Sequence, residues 1–135
     1  EFVKDIQTGD SVTYFGTFVA EHPMRIGTMH MGFFDAIPRE LANKLRVKVE
    51  DRYCPGVGTI ALNHSLLDLT GTTVGIGDTV TVISRDGENN LYAVATAAGW
   101  MVYSVMNHLN SWLPRLYLEN GEPTALLDPV KFGSL

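Results

Sequence analysis

Three residues that could form a nucleophilic triad lie close together in the sequence: His64, Ser65 and Asp68. A triad needs a hydrogen-bonded relay that runs from a carboxylate through an imidazole to a hydroxyl. The three residues fall in a predicted strand, in which neighbouring side chains point to opposite faces of the sheet. The spacing therefore argues against a hydrolase of this kind.

The spacing of residues predicts neither a phosphate-binding loop nor a metal site. The glycine-rich residues 71–78 (GTTVGIGD) have neither the Gly-Lys-Ser/Thr of a P-loop nor the dinucleotide-binding fingerprint, and they predict a turn. The only cysteine is Cys54. The four histidines are His22, His30, His64 and His108. Their spacing is not that of metal ligands, so we expect no metal site.

Length and composition indicate one ordinary globular domain. The chain has 135 residues, of which 45% are hydrophobic and 19% charged. The net charge of −5 and the scattered basic residues argue against nucleic-acid binding, which requires clustered Lys and Arg. No apolar run approaches the roughly 20 residues of a membrane span. A single cysteine cannot form an intramolecular disulfide, which favours a cytoplasmic location, while a membrane tether in a longer parent protein stays open.

The elements that would position functional residues are mostly short strands. Segments rich in β-branched and aromatic residues, or alternating between polar and apolar, are residues 11–20, 23–31, 45–49, 59–69, 79–83, 114–118 and 124–127. Two short helices are predicted near residues 91–109, separated at Gly99. This pattern predicts a mainly β fold, either a small β-barrel or a sandwich. The residue patterns alone leave the function of such a domain open.

Six segments resemble, in the same order and register, sequence motifs of the alanine racemase family. They are residues 12–18 (VTYFGTF), 32–39 (GFFDAIPR), 58–70 (GTIALNHSLLDLT), 74–80 (VGIGDTV), 99–103 (GWMVY) and 113–117 (LPRLY). The resemblance covers residues 11–118 and implies that residues 1–135 form a single C-terminal β-domain. The family's N-terminal barrel, which binds pyridoxal phosphate, is then expected outside this chain. The beginning Glu1-Phe2 in place of Met suggests a cut domain or an expression scar.

The resemblance also implies a catalytic partner. In this family a barrel lysine carries pyridoxal phosphate, and the enzyme is a head-to-tail homodimer. Racemisation takes a proton from one face of the substrate α-carbon and delivers one to the other face, so two proton-transfer groups are used. None of the lysines Lys4, Lys44, Lys48 and Lys131 lies in a context that resembles the cofactor lysine. We therefore expect the isolated chain to bind no cofactor and to be inactive.

Two tyrosines match family residues with defined roles. Tyr14 matches the tyrosine that acts as the second base in the active site of the partner subunit. A phenol is a weak base near neutral pH, so a cationic neighbour from the barrel must favour the phenolate. Tyr103 matches the tyrosine that hydrogen-bonds the cofactor phosphate. The simpler alternatives are strand packing for Tyr14 and a core helix position for Tyr103.

The residues that match the family's substrate entrance depart most from its pattern. Phe33 stands in place of a tyrosine and Thr59 in place of an arginine, while Leu62 and Asn63 replace a Met-Asp pair. Either the substrate differs from alanine, or the parent protein has lost activity and kept the fold. Two hypotheses follow: an alanine racemase that makes D-alanine for the cell wall, or a non-catalytic dimerisation or interaction module of a racemase-derived pseudoenzyme.

Overall fold

The computed structural model describes residues 1–132 and has a mainly β architecture. The strands are β1 Phe2–Ile6, β2 Ser11–Val12, β3 Phe18–Val19, β4 Met24–Met29, β5 Arg46–Val49, β6 Arg52–Val57, β7 Ser65–Asp68, β8 Arg115–Glu119 and β9 Glu122–Leu127. The α-helices are α1 Leu91–Ala98, α2 Val102–Asn107 and α3 Pro129–Phe132. Short 3-10 turns are Tyr14–Gly16, Phe33–Asp35 and Arg39–Leu41. The predicted mainly β fold with two short helices near residues 91–109 is confirmed.

A five-stranded antiparallel sheet forms the centre of the domain. Its strand order is β1-β4-β7-β6-β5, so β1 and β5 are its outer strands. Two further antiparallel ribbons pair β2 with β3 and β8 with β9. The order places the beginning of β1, the end of β4 and the beginning of β7 at one end of the sheet, because neighbouring strands run in opposite directions.

The main core lies between this sheet and α1. Val47 and Val49 of β5 are fully buried, and they belong to the same apolar cluster as Val94 and Ala95 of α1. Burying one such valine side chain contributes about 1.5–3 kcal/mol. Cys54 of β6 lies in this cluster, and burial raises the pKa of its thiol. The sulfur therefore packs as a small apolar group rather than acting as a nucleophile.

Helix α1 begins and ends at residues suited to those positions. The side chain of Asn90 accepts a hydrogen bond from the backbone N–H of Ala93, which satisfies one free donor of the first turn. Gly99 ends the helix with φ +71°, a conformation that glycine adopts without a Cβ clash. Within residues 1–132, no helix is long and apolar enough to span a lipid bilayer.

Several predicted strands differ from the observed ones. Residues 79–83 form no strand, and only an isolated bridge joins Thr81 to Lys48. The predicted strand 11–20 is broken at Tyr14–Gly16, because Thr13, Phe15 and Gly16 all have positive φ angles. Strands β1 and β6 were not predicted. Strand β6 contains Pro55 and Gly56, two residue types that are unfavourable in a strand interior.

Candidate functional site around Tyr14

Tyr14 lies on an exposed, strained turn between β2 and β3. Tyr14 is 68% exposed, so it does not pack inside a strand. Thr13 before it has φ 68° and ψ 174°, a region that is essentially restricted to glycine. Such a conformation costs about 1–3 kcal/mol and persists only where the surrounding structure holds it.

The Thr13 side chain ties this turn to the chain that follows β6. Its Oγ1 lies 2.8 Å from the Oγ1 of Thr17 and accepts a hydrogen bond from the backbone N–H of Thr59 at 3.3 Å. Gly58 lies directly beneath it, since a Cβ at that position would come within 2.3 Å of Thr13 Oγ1. The position of Tyr14 is therefore determined by contacts far away in the sequence.

Asn43 holds the same region from a second side. Its Oδ1 accepts a hydrogen bond from the Gly58 backbone N–H at 2.5 Å, and its Nδ2 donates to the Thr17 carbonyl oxygen at 3.4 Å. Both ends of the Tyr14 turn are thus linked to the segment that begins at Gly58. No signal in the sequence marked Asn43 for this role.

The turn that carries Phe33 is hydrogen-bonded to Ala61 and Leu62, which follow Gly58 and Thr59 in the chain. The Phe33 backbone N–H donates to the Ala61 carbonyl oxygen at 2.9 Å, and the Phe34 N–H donates to the Leu62 carbonyl oxygen at 3.0 Å. Phe33 is 40% exposed and Leu62 is 50% exposed. The Arg39 guanidinium lies 5.3 Å from the centre of the Phe33 ring, within the range of a cation–π interaction.

Residues 58–63 thus connect the two turns and bring most of the predicted site residues together. Asn63 is half-buried within this segment. The Thr59 hydroxyl oxygen is buried and has no hydrogen-bond partner within residues 1–132, and the entrance role of this residue stays a prediction. The predicted residues that flank the segment or belong to it are Tyr14, Phe33, Thr59, Leu62 and Asn63.

Tyr103 lies apart from this group, on α2. Tyr103 is 71% exposed, so it does not occupy a core helix position in this structure. Helix α2 packs against α1, and no hydrogen bond within residues 1–132 joins Tyr103 to the segment 58–63. The phenol is available to an external partner.

The residues of the suspected triad form no relay. The Ser65 hydroxyl donates to the Met31 carbonyl oxygen at 2.8 Å, and Asp68 Oδ1 accepts from the Thr70 backbone N–H at 2.9 Å. His64 instead contacts Glu1, with 2.7 Å between His64 Nε2 and Glu1 Oε2. The argument from strand geometry against a hydrolase triad agrees with these contacts.

A cluster that the sequence did not indicate gathers Glu1, His30 and His64. The His30 Nδ1 lies 2.5 Å from Glu1 Oε1, and the two imidazole rings meet edge to face with their centres 5.2 Å apart. The hydrogen bond with His30 is the main cause that lowers the pKa of the Glu1 carboxyl. The three residues are distant in sequence, and only the pairing of β1, β4 and β7 brings them together.

Known proteins match this chain in sequence over most of its length. The family described as "Alanine racemase, C-terminal domain" matches residues 1–117. An alanine racemase of Lactobacillus acidophilus is 39% identical over 119 residues, which cover 87% of this chain and 31% of that protein. One from Laribacter hongkongensis is 37% identical over 114 residues, with 84% and 32% covered. The chain thus spans about a third of the length of these relatives.

Solved structures show the same fold. The alanine racemase of Acinetobacter baumannii matches with a TM-score of 0.75 and 28% identity, over 82% of this chain and 30% of that one. The Bacillus anthracis enzyme, solved with bound L-Ala-P, matches with a TM-score of 0.88 and 24% identity, over 97% of this chain and 34% of that one.

Proposed function

Because the chain belongs to the alanine racemase C-terminal domain family, we propose that it is the C-terminal domain of a pyridoxal-phosphate-dependent racemase of alanine. The full-length protein would interconvert L- and D-alanine in the cytoplasm and supply D-alanine for the cell wall. The observation that carries the proposal is the exposure of Tyr14 on a turn that is held in a strained conformation. Backbone strain of this kind clusters at functional sites.

In this proposal Tyr14 transfers a proton on one face of the substrate α-carbon. An exposed phenol cannot do so alone, because a phenol is a weak base and water surrounds this side chain. The barrel of a second subunit would cover the Tyr14 turn, exclude water and supply the cation that favours the phenolate. Phe33, Leu62 and Asn63 would then lie along the path by which a small amino acid enters.

This chain offers an exposed tyrosine that could hydrogen-bond the cofactor, whereas none of its lysines lies in a sequence context that resembles the lysine that carries the cofactor. Pyridoxal phosphate, when bound, supplies the electron sink that makes the substrate α-proton acidic. Tyr103 offers an exposed hydroxyl, which is a suitable donor to a phosphate oxygen. The lysine that carries the cofactor is expected in the upstream barrel.

Thr13→Val in the full-length protein tests how Tyr14 is positioned. Valine keeps the shape of threonine and loses the hydroxyl that contacts Thr17 and Thr59. We expect kcat to fall on the order of 10- to 100-fold with a smaller change in KM, because a misplaced catalytic group costs this much. Thr13→Ser, which keeps the hydroxyl, should retain most of the wild-type kcat. Equal losses in both variants would mean that the hydroxyl does not position Tyr14.

A mixed dimer tests the site as a whole. One subunit carries Tyr14→Phe and the other a substitution of the barrel lysine, so each homodimer is expected to be inactive. If Tyr14 acts across the interface, a mixed dimer has one intact site, and random pairing should give about a quarter of wild-type activity. Activity that stays at the level of the two homodimers would contradict a site shared between subunits.

The substitutions at the residues that match the family's substrate entrance support a second candidate function, a non-catalytic interaction module. Asn63 carries no negative charge, and the Thr59 hydroxyl oxygen is buried. A full-length protein that dimerises but shows no racemisation of alanine or other small amino acids would favour the non-catalytic interaction module.

A further inference from the structure

Three side chains of metal-ligand type meet at one end of the central sheet. Glu1 directly precedes β1, His30 follows β4 and His64 precedes β7, and these three strands are neighbours in the sheet. Met29 pairs with Ser65, so His30 and His64 stand opposite each other one position farther along. The terminal ammonium group of Glu1 donates to the Thr28 carbonyl oxygen at 3.0 Å. The sheet therefore fixes the backbone positions of all three residues.

The ligand atoms are close enough to share one ion. One nitrogen of each imidazole and a carboxylate oxygen of Glu1 all lie within 4.8 Å of one another. Two atoms that bind the same zinc ion at about 2.1 Å each lie no more than about 4.2 Å apart. The side chains of His30, His64 and Glu1 are 62%, 46% and 44% exposed, so they can make the small rotations this requires.

We propose that Glu1, His30 and His64 bind a divalent transition-metal ion of the zinc type, with water in the remaining coordination position. Imidazole nitrogen with a carboxylate oxygen is a donor set that suits Zn²⁺, whereas Mg²⁺ prefers a shell of oxygen atoms. The Glu1 carboxylate already lies between both rings, with one oxygen facing each of them. An ion would replace these hydrogen bonds with bonds to a single centre.

Isothermal titration of the tag-free 135-residue chain with zinc chloride tests the site. We expect one ion per chain, and at least tenfold weaker binding in His30→Ala and in His64→Ala. His22→Ala is the matched control, because His22 is also exposed and its Nδ1 contacts the Pro23 carbonyl oxygen rather than a residue of the cluster. This control should bind zinc like the wild type, and magnesium chloride should give no binding. Equal affinity in the wild type and in the double variant His30→Ala/His64→Ala would overturn the proposal.

The amino terminus and the folding of the variants need separate controls. A chain extended upstream of Glu1 has a peptide nitrogen in place of the terminal amine, and it should keep the zinc affinity within about threefold. Loss of binding on extension would show that the amine is the ligand, which also contradicts the site. Nuclear magnetic resonance of the wild type gives a readout independent of any variant: zinc should shift the ring signals of His30 and His64 and leave those of His22 and His108 in place. Uniform or absent shifts would count against the site.

Discussion

Tyr14→Phe is expected to lower kcat for alanine racemisation by the full-length protein by about 10²- to 10⁴-fold, the usual contribution of a general acid–base group. The phenol oxygen is the only part of the side chain that the substitution removes, so the exposed ring and the turn around it remain. Racemisation should fail in both directions, because each direction uses a proton transfer on the face that Tyr14 serves. The KM for alanine should change much less than kcat.

The matched control for this prediction is Tyr92→Phe. Tyr92 is 72% exposed on α1, and it is not one of the predicted site residues. Loss of the Tyr92 hydroxyl should leave kcat within about twofold of wild type. Both substitutions should change the free energy of unfolding by less than about 0.5 kcal/mol, as is usual for substitutions at the surface. If Tyr14→Phe and Tyr92→Phe had the same kcat as wild type, Tyr14 would have no part in the reaction.

Gly32→Ala is expected to destabilise the domain by about 1–3 kcal/mol, the cost of overpacking a site that cannot relax. A Cβ at Gly32 would lie 2.2 Å from the Ala61 carbonyl oxygen and 2.5 Å from the Leu62 carbonyl oxygen. These are backbone atoms, and they accept the hydrogen bonds that hold the Phe33 turn in place. Either the segment 58–63 shifts or those bonds lengthen, so the entrance residues move as well.

Urea denaturation of the 135-residue chain measures this effect. The midpoint should fall while the slope with denaturant is unchanged, which identifies a loss of stability rather than a change in the unfolded state. Gly75→Ala is the control, since a Cβ there would meet only Asp78 Oδ2, at 3.9 Å, and the φ of Gly75 is not positive. Equal stability of the Gly32 and Gly75 variants would show that the close contact at Gly32 is easily relieved.

Local sequence patterns predicted the elements in which buried and exposed residues recur with a regular period. The strand at 45–49 was found as Arg46–Val49, and the helix at 91–98 as Leu91–Ala98, because periodic burial is visible in the residues themselves. The stretch 79–83 has the same kind of composition and forms no strand. A strand exists only where a neighbour offers a row of backbone partners, and Lys48 supplies a single bridge to Thr81.

The turn at Tyr14–Gly16 shows a second limit of local patterns. Residues 11–20 have strong β propensity, yet Thr13 and Phe15 adopt positive φ angles. The contacts that hold this conformation come from Asn43, Gly58 and Thr59, which are distant in sequence. Several tertiary hydrogen bonds together override the intrinsic β propensity of these residues, because the whole propensity scale spans only about 1 kcal/mol.

The sequence by itself determined the family, the mainly β class and the identity of Tyr14 and Tyr103 as candidate functional residues, because these rest on motifs that are continuous in the chain. Only the tertiary structure decided that Tyr14 is exposed, that the Thr59 hydroxyl is buried, and that Glu1, His30 and His64 meet. The physical reason is strand register. A shift of one residue between β4 and β7 would turn each side chain to the other face and separate the two histidines, and nothing within either segment fixes that alignment.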